Sequence, residues 1–394
     1  MIRTIAGVVV CAVLAAPAVA ISPERRAEAR EMADRAIEFL RAQQDAETGG
    51  WAVNPEGPDL PAISALVLNG MLPHPRLDHN DAHIARGIAY VLSFRKADGG
   101  IHDGILSNYN TAISLSALSR VPTPETAELV APGQDFLRSL QWSEESIDHP
   151  ETGRVDESHP FYGGVGYGRR GRPDMSNLNL MLQGLHDTGV PADDPAFERA
   201  MVFLGRTQML DSVNDMAYAD GSQQGGFIYA TGPTGEAIGV GQSYAEESMT
   251  EEIINGERVL RHTAYGSVTY AGLKSMVYAD LDRSDERVTS AYEWIRKNYR
   301  LDENPRAGQQ GRYYYYLMFA RAMDAWGDPM IVPLDAGGNE LPARNWADDL
   351  VEALSELQNE DGSFRSVHPR WMEDNPVLIT AYALIALQHA LGNA

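Results

Sequence analysis

The chain alternates two kinds of apolar segment. In the first, apolar residues share one stripe, as Ala36, Phe39 and Leu40 do in segment 36–44 in line with Gln43, and charged residues take the other side. That spacing predicts a surface helix. In the second, apolar residues occur on most sides, as in Ala381-Tyr382-Ala383-Leu384-Ile385-Ala386-Leu387, which predicts a helix packed between others. A turn stands between the two kinds: Gly49-Gly50-Trp51, Asp98-Gly99-Gly100-Ile101, Gly163-Gly164-Val165-Gly166-Tyr167, Gly225-Gly226-Phe227, Gln309-Gln310-Gly311 and Asp361-Gly362-Ser363-Phe364. Glycine in these turns ends the first helix and lets the chain reverse closely.

The pattern recurs six times, with first segments at 36–44, 84–94, 134–142, 197–209, 287–299 and 346–358. The matching second segments are 60–72, 109–118, 175–185, 263–278, 313–326 and 377–391. One hairpin cannot bury its own inner helix, so neighbours must stack. The expected fold is all-α: a single α/α toroid of about six helical hairpins, with inner and outer layers around a central cavity. An open superhelix of the same hairpins is the alternative. Two insertions, 143–161 and 230–261, read as loops. They serve either as lids or binding loops or as decoration, and the acidic run Glu246, Glu247, Glu251 and Glu252 reads as solvated surface.

Composition bounds the rest. Residues 1–20 look like a secretory leader: Arg3, an apolar stretch at 5–14, then Ala16-Pro17-Ala18-Val19-Ala20 with a small-x-small ending. An uncleaved anchor is the alternative. The toroid is therefore expected over 21–394, exported to the periplasm or the extracellular space. Cleavage removes Cys11, the sole cysteine, so the mature chain relies on its core rather than on disulfides. A net charge of −23 excludes nucleic acid and anionic membrane surfaces as partners. No second long apolar stretch follows the leader, so no integral membrane segment is expected after cleavage. No His-Glu-x-x-His, calcium loop, phosphate-cradling loop or Gly-x-Ser-x-Gly elbow occurs, so neither a metal nor a cofactor is expected.

Phe39-Leu40, Gln44 and Gly49-Gly50-Trp51 form a motif that resembles the prenyltransferase and squalene-cyclase repeat. Phe136-Leu137 with Gln141, and Leu357-Gln358 with Gly362-Ser363-Phe364, match it in part. The resemblance spans nearly the whole mature chain and is greatest to exported single-toroid squalene-cyclase-like repeat proteins. It rests further on Gly171-Arg172-Pro173-Asp174-Met175-Ser176-Asn177, on 265–273, on Glu303-Asn304-Pro305 and on Gly311-Arg312-Tyr313-Tyr314-Tyr315-Tyr316. It implies a toroid in which the Gln and aromatic groups tie helices together. It does not carry over the chemistry. The cyclases' Asp-x-Asp-Asp acid has only Asp280-Leu281-Asp282-Arg283 as a counterpart, placed after the inner segment, and the zinc-holding Asp, Cys and His of prenyltransferase β-subunits lack a mature cysteine.

In such a ring the inner-helix N-termini gather at one mouth of the cavity, where free N–H groups and positive dipole ends favour polar groups. Asp174 follows Pro173 there, either as a helix cap or as a catalytic general acid or base. Arg169, Arg170 and Arg172 precede it and are expected to hold it ionised. Arg172, Asn177, Tyr265, Thr269, Tyr270, Tyr313, Tyr314 and Trp371 are the candidate substrate-binding residues. Tyr265 and Thr269 share a helix face, and four consecutive tyrosines from Tyr313 must turn at least one ring to the cavity. Aromatic faces stabilise carbocations and stack on sugars; packing with tied hydroxyls is the alternative.

Three functions remain open on these grounds. The first is binding or transformation of an isoprenoid- or triterpenoid-type apolar small molecule, as a terpene cyclase- or prenyltransferase-like enzyme. The second is a non-catalytic scaffold for an extracytoplasmic ligand. The third is a carbohydrate-active enzyme on a helical toroid. Fold alone does not choose among them.

Overall fold

The computed structural model describes residues 21–52, 57–145, 155–169, 171–233, 239–366 and 368–394. The leader-like residues 1–20 and Arg170 lie outside the described residues. Twelve α-helices occur among the described residues, alternating between two layers. The outer helices are α1 (Pro23–Ala42), α3 (Ala82–Leu92), α5 (Pro124–Leu140), α7 (Pro195–Thr207), α9 (Glu286–Lys297) and α11 (Trp346–Ser355). The inner helices are α2 (Pro61–Met71), α4 (Ser107–Leu118), α6 (Met175–Asp187), α8 (Gly266–Tyr278), α10 (Arg312–Trp326) and α12 (Pro376–Leu391).

Local sequence starts the outer helices. Ser22, Thr123 and Asp194 accept from first-turn N–H groups, and each precedes a proline that needs no donor of its own. Burial then follows periodicity. In α3 the buried residues are Ile84, Gly87, Ile88 and Val91, one stripe, whereas every residue of α2 is buried.

The inner helices pack in sequence order, and α12 returns to pack on α2. The ring is therefore closed, and the open superhelix is excluded. One device repeats around it. Gln44 Nε2 donates to Gly49 O at 2.7 Å in its own turn and to His83 O of the next outer helix at 2.8 Å. Gln141 does the same to Gly163 and Ala196, both at 2.9 Å, and Gln208 to Gly225 and Arg287, both at 2.8 Å. Gln358 bonds Gly362 O at 3.1 Å and Met32 O of α1 at 2.9 Å, so the sixth copy grips the first. The turn glycine is required where it meets the next outer helix. At Gly163, with φ +79, a Cβ would lie 1.8 Å from Arg199 O; at Gly362, with φ +85, it would lie 2.2 Å from Arg35 O.

A second staple joins the first, second, fourth and sixth turns to their own inner helices. The N–H groups of Trp51, Ile101, Phe227 and Phe364 donate to the hydroxyls of Ser64, Thr111, Thr269 and Thr380 at 2.8 to 3.0 Å. The fifth copy departs from the device. Its turn is held instead by tyrosines, with Tyr315 OH on Arg300 O and Tyr316 OH on Leu301 O, both at 2.6 Å.

Among the described residues six short strands form three antiparallel pairs: β1 (Gln208–Leu210) with β2 (Gln223–Phe227), β3 (Met249–Ile254) with β4 (Glu257–His262), and β5 (Met330–Ile331) with β6 (Arg344–Asn345). The β3–β4 hairpin corrects the reading of 230–261 as loop. Its turn is Asn255-Gly256, both left-handed at φ 53° and 85°, which is the backbone that the twist of a two-residue hairpin needs. The acidic run is also corrected in part. Glu252 is engaged rather than solvated, accepting from Ser222 Oγ at 2.9 Å and Gln224 Nε2 at 2.6 Å.

Candidate functional site

The chain reaches each inner-helix N-terminus through a Gly-rich turn, and the longest of these connections, 141–174 and 208–265, lie at the same end of the ring. At that end the inner helices surround a cavity of about 560 Å³, within the range of about 300–1,000 Å³ typical of small-molecule sites. Seven tyrosines line it: Tyr109, Tyr167, Tyr229, Tyr244, Tyr265, Tyr314 and Tyr382. Leu60, Ile63, Leu106, Leu180 and Leu378 supply aliphatic wall, and Ser176, Asn177, Ser267, Asn304 and Gln310 are polar points on it. Trp371 closes over the rim, its ring 5.3 Å from that of Tyr244. Arg370 lies against both rings, at 5.1 Å and 4.9 Å, and donates to Gln310 Oε1 at 2.6 Å.

Glu373 is the carboxylate among the described lining residues. It is fully buried. Its Oε1 accepts the N–H groups of Tyr313 and Tyr314, both at 2.9 Å, so it caps α10 from a distant part of the chain. Its Oε2 is buried with no hydrogen-bond partner among the described residues. Burial raises its pKa to about 7 against the pull of those backbone donors.

Asp174 stands behind the wall. It caps α6: Oδ1 accepts Asn177 N and Oδ2 accepts Asn177 Nδ2, both at 2.9 Å. The pull of Arg172 toward the ionised form is present, but it is not the largest influence on Asp174. Burial is the largest influence and raises its pKa to about 6, outweighing Asn177 and Arg172. Arg172 is committed elsewhere, lying over the Tyr229 ring at 5.3 Å and donating to Gln242 Oε1.

The structure brings Asn177, Tyr265, Tyr314 and Trp371 together on the cavity. It takes Thr269, Tyr270 and Tyr313 away from it. Thr269 is the staple of the fourth turn, its hydroxyl donating to Tyr265 O at 2.8 Å. Tyr270 packs on Tyr315 and Phe319 between helices. Tyr313 donates to Arg365 O at 3.1 Å. These three share their helices with true lining residues, but their rings or hydroxyls point between helices rather than inward. His262 binds Val240 O beside the hairpin, and His102 packs on Phe136; neither lines the cavity.

Sequence reasoning missed Glu373 as a site residue, and it missed Tyr109, Tyr167, Tyr229, Tyr244 and Tyr382. The signal for Glu373 was its position beside Trp371, ahead of the Asn375-Pro376 helix start. Its partners lie about sixty residues upstream, beyond any local pattern. A wider groove of about 640 Å³ outside the ring includes Glu246, Lys297, Arg300, Asp302 and Arg306. Within it Arg300 pairs with Asp302 at 2.6 Å and with Glu303 at 2.8 Å. Among the described residues no group of three or more His, Cys, Asp or Glu gathers to hold a metal ion, and no helix is long and apolar enough to cross a membrane.

No protein-family model matches the chain, and no curated protein matches it significantly. Solved structures do share its fold. An α-1,6-mannanase from a Salegentibacter species is 9% identical, with 93% of this chain and 100% of that chain covered and a TM-score of 0.57. An α-amylase from Clostridium perfringens is 12% identical, with coverage of 91% and 98% and a TM-score of 0.54. A type II terpene cyclase from Scytonema, in complex with merosterolic acid A, is 14% identical, with coverage of 94% and 99% and a TM-score of 0.51. The α/α toroid is thus common to this chain, to a type II terpene cyclase, to an α-1,6-mannanase and to an α-amylase.

Proposed function

We propose that the tyrosine-lined cavity binds an apolar small molecule of isoprenoid type and that Glu373 moves a proton to or from it. The observation that carries this reading is the wall itself: aromatic and aliphatic over most of its area, with one buried carboxyl oxygen left uncommitted. A carboxyl group with a pKa near 7 is divided between its two forms at neutral pH, which suits proton transfer. The surrounding ring faces would stabilise positive charge developing on the bound molecule. Asp174 acts through Asn177, fixing that side chain on the wall; it is a positioning residue. On the strength of the leader-like residues 1–20 this function is set outside the cytoplasm, and N-terminal sequencing of exported protein, expected to begin at Ile21, checks that.

The carbohydrate reading is favoured by the rim, where Trp371 and Tyr244 offer faces of the kind that stack on sugars. Against it, hydrolysis of a glycosidic bond ordinarily takes two carboxyl groups facing one another across about 5–9.5 Å, whereas Glu373 alone supplies a carboxyl group among the described lining residues.

Titration with a C20 prenyl alcohol, followed by tryptophan and tyrosine fluorescence, separates the two. Saturable quenching is expected with the prenyl alcohol and none with mannotriose, and the reverse pattern would transfer the site to sugars. Glu373→Gln keeps a capping oxygen, so it should retain prenyl-alcohol binding while reducing any proton-transfer turnover by about 10²–10⁴-fold. Unchanged turnover in that variant would remove Glu373 from the chemistry.

A further inference from the structure

The opposite end of the barrel holds a second cluster. Lys274 of α8 and Arg321 of α10 each lie seven residues beyond a cavity-lining residue, Ser267 and Tyr314. Seven residues are nearly two helical turns, so both cations sit on the inward-facing sides about 10 Å further along the axis. Lys274 is completely buried and Arg321 is only 5% exposed. Burial first, and then the charge of Arg321, push the Lys274 pKa well below its ordinary value.

The acceptors in reach are nearly used up. Lys274 Nζ donates to Gln183 Oε1 and lies 5.0 Å from the Tyr278 ring centre. Asp187 is the carboxylate that acts on both cations. It already accepts from Ser116 Oγ and from Gln183 Nε2 at 2.7 Å, and it lies 3.4 Å from His186 Nδ1. Arg321 Nε is buried with no hydrogen-bond partner among the described residues. Inner-helix C-termini offset part of the positive charge, and Asp187 offsets another share. A guanidinium with an unspent donor still remains near a buried lysine whose protonation its charge opposes, an arrangement that a bound anion would relieve.

We propose that Lys274 and Arg321 together form a binding site for a small oxyanion, phosphate or sulfate in class, at the inner-helix C-terminal end of the barrel. The site is separate from the tyrosine cavity and stands whether or not that cavity binds an isoprenoid. His186, beside Asp187, is partly exposed and stacks on Tyr278 at 3.8 Å.

The test uses the full mature chain at fixed ionic strength, with inorganic phosphate replacing chloride. Saturable calorimetric binding is expected, with a rise in Tm of roughly several degrees at saturating phosphate. Both should vanish in Arg321→Gln and in Lys274→Met, and Lys274→Arg, which keeps the charge, should retain binding. The absence of phosphate and sulfate binding by the wild-type chain overturns the proposal whatever the variants do. Equal binding by wild type and Arg321→Gln overturns it as well.

Discussion

The two ends of the inner barrel are built from the same six helices and carry opposite chemistry. At the N-terminal end, acids meet the helices: Asp174 caps α6 from within its own chain segment, and Glu373 caps α10 from across the mouth. At the C-terminal end, cations meet them: Lys274 and Arg321 face the axis beside Asp187. The helix dipole favours each sign where it is found. The ends differ also in filling. The longest connections, 141–174 and 208–265, enter at the N-terminal end and hold a cavity open under Trp371, while the short connections 119–123 and 188–194 join helices at the other end. Helix polarity therefore assigns the charge of each end, and connection length decides which end has room for a molecule.

Breaking the C-terminal end should give the largest effect. Asp187→Ala leaves two buried cations without their carboxylate, and a loss of about 3–5 kcal/mol in urea denaturation is expected. A loss below about 1 kcal/mol would mean that solvent, not Asp187, balances those charges.

A smaller loss separates structure from site at the N-terminal end. Thr269→Val removes the acceptor of the buried Phe227 N–H and should cost about 1–3 kcal/mol, with prenyl-alcohol affinity unchanged. If affinity fell while stability held, Thr269 would belong to the cavity after all.

The smallest effect, and the one that contrasts the ends most directly, is the response to pH. Glu373 and Asp174 hold their protons more tightly folded than unfolded. The stability they contribute is complete below their ordinary values of 4.5 and 3.8 and is lost as pH rises through about 7 and about 6. Asp187 behaves oppositely. Burial raises its pKa, but hydrogen bonds from His186, Ser116 and Gln183 and the charge of Arg321 outweigh burial and bring it to about 2. Its contribution is present above 3.8 and is lost as pH falls toward 2. Melting curves across pH should show Glu373→Gln flattening the neutral-side decline and Asp187→Asn flattening the acid-side one. Identical pH profiles in the two variants would break the contrast.

Much of the architecture was legible because it is local. The stripe Ile84, Ile88 and Val91, the Ser22-Pro23 and Asp194-Pro195 starts, and the Gln44 and Gly49-Gly50-Trp51 motif each act within a few residues. The Asn255-Gly256 turn of the β3–β4 hairpin is a local signal of the same kind. The site was less legible. Asp174 was recognisable as a cap, and Tyr265, Tyr314 and Trp371 as wall, yet Thr269, Tyr270 and Tyr313 were indistinguishable from them. An inner helix is buried on every side, so its apolar pattern has no polar face to fix which residues point inward.

By itself, then, the sequence determined the hairpins, their order, and the division into inner and outer helices, since periodicity and caps are set within one or two turns of chain. Only the tertiary structure decided what depends on meeting at a distance. It decided closure through Gln358 on Met32, the capping of α10 by Glu373, and the pairing of Lys274 with Arg321. Those contacts join residues that no local period relates, and they form because closing the ring brings distant parts of the chain side by side.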